Sequence, residues 1–181
     1  MKSSASGKSI AIGSDECTHL TDFVLQYLGG KGFQLELYGV SIGESTPWPE
    51  VAEKVAGRVA SRKISEGILF CWTGTGVSIA ANKLPGIRAA LCPDVATARG
   101  ARQWNHANVL VMGLRPTSEL LGGEILDAWF ATPFGGGEDA ENVSRVTQLE
   151  VKYEIKPRRK KREPLFRKTE ITIGGFNGVF V

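Results

Sequence analysis

The stretch GILFCWTGTGVSIAANK, residues 67–83, runs from apolar residues through a glycine turn into small residues at helical spacing. An apolar run of this length that ends at a turn is typical of a buried β-strand, here 67–72. The spacing after the turn predicts a helix over 77–84. The segment therefore predicts one βα unit whose strand ends at a glycine turn, where the backbone amides are not covered by side chains.

The same unit recurs on both sides of this stretch. Each apolar run is followed by a segment with apolar residues at i, i+3 and i+4 spacing. Strands are predicted at 9–15, 33–40, 87–92 and 108–113, and helices at 18–30, 49–65, 95–104 and 117–131. Five apolar strands that alternate with helices indicate a five-stranded parallel sheet covered on both faces, in a three-layer doubly wound α/β domain.

The remaining residues predict a helix and a basic tail. Residues 135–155 read as a glycine joint followed by a helix that begins near Glu138, and 169–181 alternate like a strand or hairpin. Residues 151–181 carry nine Lys or Arg and three acids, which leaves a net charge of −3 for 1–150. We predict one globular α/β domain over 1–150 and a basic C-terminal extension over 151–181. The RRKK run of this extension is more typical of a solvated arm than of a nucleic-acid site.

Composition excludes several other classes of protein. No apolar run reaches the roughly 18 residues of a membrane span, and the first residues lack the apolar stretch of a secretory signal, so we expect a soluble cytoplasmic protein with no membrane partner. Cys17, Cys71 and Cys92 show no CxxC spacing, and His19 and His106 show no metal-ligand spacing. We therefore predict neither a disulfide framework nor a metal.

The glycine turn predicts an anion site. In doubly wound sheets ligands bind at the carboxyl ends of the strands, where the strand order reverses. The amides of Gly74, Thr75 and Gly76 lead into a helix and can point at one negative group. Asp15 and the 104–108 loop are expected at the same edge of the sheet.

Nucleotide cofactors do not fit this turn. A phosphate-binding GxxxxGK[ST] motif is absent, and a dinucleotide GxGxxG motif would need glycine where Ile79 stands. Cys71, beside the turn, admits two interpretations: a small apolar residue that closes a buried strand, or a thiolate that abstracts a proton next to a carbonyl while the turn stabilises the oxyanion. In the second interpretation the Thr73 hydroxyl passes a proton. Cys17 and Cys92 are interpreted as structural.

Three motifs in order resemble one enzyme family. C-x-T-G-x-G-x-S-I-A-A-N-K from Cys71, P-G-I-R-A from Pro85 and N-x-x-N-V-L from Asn105 resemble the type B ribose-5-phosphate isomerases and galactose-6-phosphate isomerase subunits, and the likeness runs from about Ser9 to Leu149. The resemblance implies a Rossmann-like α/β/α sandwich that works as a homodimer, or a tetramer built from it, with active sites at the subunit interface. It implies interconversion of aldose and ketose sugar phosphates through a cis-enediolate, without metal or cofactor.

The resemblance also implies roles for individual residues. Cys71 is similar to the family's catalytic base and Thr73 to the residue that moves a proton between substrate oxygens. The amides of Gly74, Thr75 and Gly76 resemble the loop that stabilises the enediolate. Asp15 and Asn105 resemble residues that hold substrate hydroxyls, and Arg115 resembles a phosphate ligand.

Several positions depart from the family pattern. Glu16 stands where the family usually has a phosphate-binding histidine, and Trp104 stands where it has the histidine associated with opening a furanose ring. Glu138 and Asn142 stand at about the positions of phosphate-binding arginines, and Trp48 replaces a tyrosine. His106 is a candidate to take over ring opening, while Trp104 could narrow the pocket or stack on a sugar face.

These departures leave the substrate open. Ribose 5-phosphate, converted to ribulose 5-phosphate, is the family default. A tetrose or tetrulose phosphate does not need the ring-opening histidine, because so short a sugar has no furanose ring to open. An unphosphorylated sugar does not need the phosphate-binding residues, and it avoids the repulsion between an acid and a phosphate dianion. A non-catalytic sugar-binding regulator is the alternative outside enzymes.

Overall fold

The computed structural model describes residues 7–39, 43, 45–153, 170–173 and 176–179; side chains are not described beyond residue 153. The strands are β1 (Ser9–Ser14), β2 (Gln34–Gly39), β3 (Glu66–Cys71), β4 (Ala89–Leu91), β5 (Val109–Gly113), β6 (Glu170–Ile173) and β7 (Phe176–Val179). The helices are α1 (His19–Gly30), α2 (Trp48–Ala60), α3 (Thr75–Ala81), α4 (Val95–Gln103), α5 (Glu119–Ala131) and α6 (Glu138–Lys152).

The first five strands form one parallel sheet in the order β2-β1-β3-β5-β4. The predicted five-stranded parallel sheet is confirmed. The strand order reverses at β1, because the chain moves from β1 to β2 on one side and then returns to place β3 on the other. β4 is shorter than predicted, with three residues at the edge of the sheet. The described segments of the tail pair as an antiparallel hairpin, β6 with β7.

Helices cover both faces of this sheet, which confirms the three-layer architecture. Helices α1, α4 and α5 pack together on one face, and α2 packs with α3 on the other. Alternate strand residues divide between two apolar cores: Ile68 and Phe70 of β3 face α1, α4 and α5, whereas Leu69 and Cys71 face α2 and α3. This is the period of two expected for a strand that is buried on both sides.

The chain divides into two compact units, Met1–Val151 and Lys152–Val181. The first holds the sheet and nearly all of α6, and the second holds the hairpin. None of the helices in the described ranges is both long and apolar enough to cross a membrane.

Candidate active site

Asp15 and Cys71 meet at the point where the strand order reverses. β1 and β3 are neighbours, and Ser14 of β1 pairs with Phe70 of β3. The next residue along each strand is Asp15 or Cys71, so the parallel register brings them side by side at the carboxyl edge of the sheet. This is where ligands bind in sheets of this class.

Cys71 is mostly covered by neighbouring residues. The residue is 7% exposed and belongs to the apolar core under α2 and α3, which also contains Val51 and Val77. Its carbonyl accepts the N–H groups of Gly74 at 3.2 Å and Leu114 at 3.0 Å, which ties the turn after β3 to the loop after β5. The thiol thus lies at the boundary between the core and the carboxyl edge.

The glycine turn has a conformation that requires glycine. Gly74 precedes α3 with φ +79°, and an added Cβ would run into the side chain of Leu91. The Oγ1 atoms of Thr73 and Thr75 lie 2.7 Å apart on the exposed side of the turn. The first N–H groups of a helix have no acceptor within it, so the amides of Thr75 and Gly76, which open α3, are available to a ligand. The third amide predicted for this site, that of Gly74, instead donates to the carbonyl of Cys71.

Trp48 forms a wall beside this turn. It opens α2, and an added Cβ at Gly76 would lie 3.3 Å from its indole ring. The indole is 41% exposed, so one part packs on the turn and another part meets solvent. A flat apolar surface therefore borders the amides of the turn.

The Asp15 carboxylate is partly buried at the same edge. Its Oδ1 atom is buried, and none of the described residues donates a hydrogen bond to it. Burial raises the pKa of the carboxyl group above its ordinary value, and a hydrogen bond from its own backbone opposes that shift. Buried polar atoms are normally paired, so this oxygen is suited to a hydroxyl group from outside the protomer.

Arg115 also belongs to the carboxyl edge. It follows β5, its side chain is exposed, and its N–H donates to the carbonyl of Trp72 at 3.0 Å. The Arg115 loop is therefore hydrogen-bonded to the turn that follows β3. A guanidinium group in this loop can reach a ligand at the edge without being committed to the core.

The 104–108 loop lies at the opposite edge, so its predicted location was wrong. Asn108 accepts the N–H of Gly67, at the start of β3, at 3.0 Å, and it donates its own N–H to Arg88, just before β4, at 3.1 Å. A helix between parallel strands returns the chain to the amino ends of the strands, and this loop connects α4 to the start of β5. Trp104, Asn105 and His106 are thus separated from Cys71 by the length of the sheet.

A pocket of about 490 Å³ opens at this amino edge. Trp104 and Asn105 line it together with Arg88 and with Asn142 of α6, and apolar side chains of α6 complete the wall. Trp104 is 57% exposed. His106 turns away to stack on Phe134, with ring centroids 4.6 Å apart, and its Nε2 lies 2.8 Å from the carbonyl oxygen of Gly135.

Sequence reasoning missed a buried ionic cluster at the same edge. Glu66, which opens β3, accepts a hydrogen bond from Trp129 Nε1 at 2.7 Å and pairs with Lys8 and with Arg102, whose Nη2 lies 3.3 Å from Oε1. Burial lowers the pKa of Arg102, and the charge of Glu66 opposes that shift. An acid directly before an apolar run was the available signal, but its three partners are 36, 58 and 63 residues away.

The other cysteines differ from Cys71. Cys92 is fully buried, and burial, followed by the nearby Asp94 charge, raises the pKa of its thiol to about 12. Cys17 is exposed. Within the described ranges no three His, Cys, Asp or Glu side chains are grouped to hold a metal ion.

Known proteins with the same fold and similar sequences are isomerases. The family described as Ribose/Galactose Isomerase matches residues 10–148. The D-erythrulose-4-phosphate isomerase of Pectobacterium atrosepticum is 39% identical over 144 residues, covering 78% of this chain and 95% of the relative. The ribose-5-phosphate isomerase B of Escherichia coli is 37% identical over 144 residues, covering 79% and 97%.

Solved structures agree with the sequence relatives. The Clostridium thermocellum ribose-5-phosphate isomerase B superposes with a TM-score of 0.76 at 38% identity, over 80% of this chain and 99% of the other. The Mycoplasma genitalium ribose-5-phosphate isomerase B with bound ribulose-5-phosphate gives 0.74 at 29% identity, over 81% and 97%. These matches confirm the resemblance seen in the sequence, and the chain belongs to the Ribose/Galactose Isomerase family of sugar-phosphate isomerases.

Proposed function

We propose that the protein interconverts the aldose and ketose forms of a small sugar phosphate through a cis-enediolate, with Cys71 as the base. The Cys71 thiolate takes the proton from C2 of the aldose, and the electron pair left on carbon moves into the enediolate. The same sulfur returns the proton to C1 to give the ketose, while Thr73 moves a proton between O1 and O2. Substrate and product have the same composition, so the reaction needs no redox partner, and the proton held on the sulfur can exchange with solvent before it returns.

One observation carries this proposal: Asp15, Cys71 and the turn at Gly74 meet where the strand order reverses. The sulfur lies beside a turn whose amides can face an oxygen that becomes negative. The Oδ1 atom of Asp15, which receives no hydrogen bond from the described part of the chain, can accept a substrate hydroxyl. The base and the oxyanion site serve proton abstraction next to a carbonyl, and the hydroxyl acceptor serves to hold the sugar.

The substrate is proposed as ribose 5-phosphate or as a four-carbon sugar phosphate. Relatives of nearly equal similarity carry the two activities, at 37% and 39% identity. Trp104 favours the shorter substrate, because it stands where the family has a histidine for ring opening. A tetrulose phosphorylated on O4 has no hydroxyl with which to close a furanose ring. Arg115 is the proposed phosphate ligand at the carboxyl edge.

We further propose that the working form is a homodimer with two shared sites. Within one chain, Cys71 and Asn105 lie at opposite edges of the sheet. Both can contact one small substrate if the carboxyl edge of one subunit faces the amino edge of its partner. Two-fold symmetry then creates two equivalent sites.

Isotope exchange tests the reaction. The protein is incubated in deuterated water with ribose 5-phosphate, with D-erythrulose 4-phosphate and with unphosphorylated ribose, and exchange at the carbon next to the carbonyl is followed by NMR. We expect exchange with at least one phosphate, and a loss of about 1,000-fold or more in Cys71→Ala. Cys17→Ala, which removes an exposed thiol, is the matched control. Unchanged exchange in Cys71→Ala would refute the assigned base, and binding without exchange across the panel would favour a regulator.

Subunit complementation tests the shared site. Cys71→Ala and Asn105→Ala chains are unfolded, mixed in equal amounts and refolded together. A mixed dimer holds one site with both original residues, so random pairing restores about a quarter of the original activity. A mixture no more active than its two components refolded separately would contradict the shared site.

A further inference from the structure

Two arginines hold consecutive carbonyl groups of the 104–107 turn. Arg88 donates from Nε to the carbonyl of His106 at 3.0 Å, and Arg102 donates from Nη1 to the carbonyl of Ala107 at 2.6 Å. Arg88 precedes β4, whereas Arg102 belongs to α4. The turn is thus held by side chains from two separate elements, in addition to backbone hydrogen bonds from the N–H groups of Trp104 and Ala107 to α4.

The side chain of Arg102 is fixed by its surroundings, and Arg88 is anchored through its backbone. The guanidinium carbon of Arg102 lies 4.9 Å from the ring centroid of Trp129 and 4.3 Å from that of Phe134, and the same group pairs with Glu66. Arg102 is 8% exposed. Arg88 is half-buried, and its backbone N–H donates to the side chain of Asn108 at 2.8 Å. The guanidinium of Arg102, stacked and paired in this way, has little rotational freedom left to lose.

The turn needs such support because of its backbone. His106 has φ +48°, in the left-handed region that residues other than glycine seldom adopt. Its ring stacks on Phe134, the same ring that Arg102 covers, and its Nε2 meets the carbonyl of Gly135. Strained backbone that the surroundings hold in place is commonly found at functional sites.

We propose that Arg88 and Arg102 are positioning residues that fix the 104–107 turn, so that Trp104 and Asn105 are presented in the 490 Å³ pocket. Both presented residues line that pocket, and so does Arg88. This inference rests on the proposed role of Asn105 as a substrate ligand. Neither arginine touches the reacting carbons in the proposal; each acts through the backbone of the turn.

Lysine variants test the positioning role through activity. Lysine keeps the charge but has no Nε at the arginine position and no planar fork, so Arg88→Lys and Arg102→Lys lose the grip on the turn. Small misplacements of a substrate ligand have large kinetic effects, and we expect kcat/KM to fall roughly 10-fold or more in each variant, mainly through a higher KM. Arg99→Lys, on the exposed side of the same α4, is the matched control and stays within about two-fold.

A double-mutant cycle separates positioning from general damage. If the arginines act through Asn105, each lysine variant changes kcat/KM by less than about two-fold when added to Asn105→Ala. Losses of equal size with and without Asn105 would overturn the positioning role. Arg88→Lys decides the matter if Arg102→Lys, in the buried cluster, does not fold.

Hydrogen exchange gives a readout that does not depend on turnover. The amides of residues 104–108 should exchange at least about 10-fold faster in Arg88→Lys than in the original protein, while the amides of β3 and β5 stay unchanged. Unchanged exchange in the turn would overturn the proposal that the arginines fix the turn. Full activity of Asn105→Ala would instead refute the proposed substrate contact of Asn105. Faster exchange in the turn would then still support a structural role for the two arginines.

Discussion

The two edges of the sheet position their functional groups by opposite means. At the carboxyl edge the backbone provides most of the positioning: Gly74 has a positive φ, the opening amides of α3 are available, and no described residue donates a hydrogen bond to the buried Oδ1 of Asp15. At the amino edge buried charged side chains provide the positioning, and Glu66 pairs there with Arg102. The carboxyl edge is therefore readable from a short stretch of sequence, whereas the amino edge depends on contacts between distant segments.

Removing the acid from the amino edge should give the largest loss of stability. Glu66→Ala leaves the buried Arg102 side chain without its countercharge and Trp129 Nε1 without its acceptor. Removal of one partner of a buried ion pair lowers stability by about 3–5 kcal/mol. We expect the free energy of unfolding, measured with urea, to fall by about that amount.

An exposed ion pair provides the control for this measurement. Lys31 and Asp127 form a pair at 2.8 Å whose side chains are 42% and 58% exposed. Such pairs contribute about 0–1 kcal/mol, so Asp127→Ala should change the free energy of unfolding little. Equal losses in Asp127→Ala and Glu66→Ala would show that the amino edge is not held by its buried charges.

Addition of a methyl group to Gly74, at the carboxyl edge, should give the next largest loss of stability. Gly74→Ala combines a left-handed backbone with a clash against Leu91, and we expect a loss of about 2–4 kcal/mol together with a large fall in kcat. Gly86→Ala is the matched control, because Gly86 has φ +77° but nothing within 4 Å of an added Cβ. It should lose about 1–2 kcal/mol from backbone strain alone. If both variants lost the same stability, close packing under the turn at Gly74 would be ruled out.

The smallest effect concerns Asp15 and depends on pH. Because burial raises the pKa of Asp15 in the folded protein, its protonated form favours folding, and that contribution is lost as the pH rises through the folded pKa. Asp15→Asn should therefore stabilise the protein at pH 8, by less than about 1 kcal/mol since the group is partly exposed, and should have almost no effect at pH 3. Urea unfolding at the two pH values measures the difference. A stabilisation that is larger at pH 3 would contradict the assigned cause.

Sequence reasoning recovered the fold because its signals are local. Each strand is an apolar run of the right length, each helix has an apolar stripe, and the glycines after Cys71 mark a turn that only glycine can make. α6 begins at Glu138, as its acids predicted. These features are decided within about ten residues of chain.

The amino edge was misjudged for reasons of topology. The 104–108 loop was expected beside Cys71 because it and the turn after Cys71 are both loops next to apolar strands. The composition of a loop does not reveal which end of a strand the loop joins. The connectivity does: a loop that follows a helix and precedes a parallel strand returns to the amino edge. The Glu66 cluster was missed because Lys8, Arg102 and Trp129 come from three distant segments, and pairing at that separation leaves no periodic trace in the sequence.

The four tryptophans give the protein built-in optical probes. Trp129 is fully buried and hydrogen-bonded to Glu66, so its emission should be blue-shifted and report on global unfolding. Trp48 borders the glycine turn and Trp104 lines the pocket at the amino edge, both partly open to solvent. Single replacements by phenylalanine would assign the emission of each indole, so that quenching by an added sugar phosphate could be traced to one edge or the other without any label.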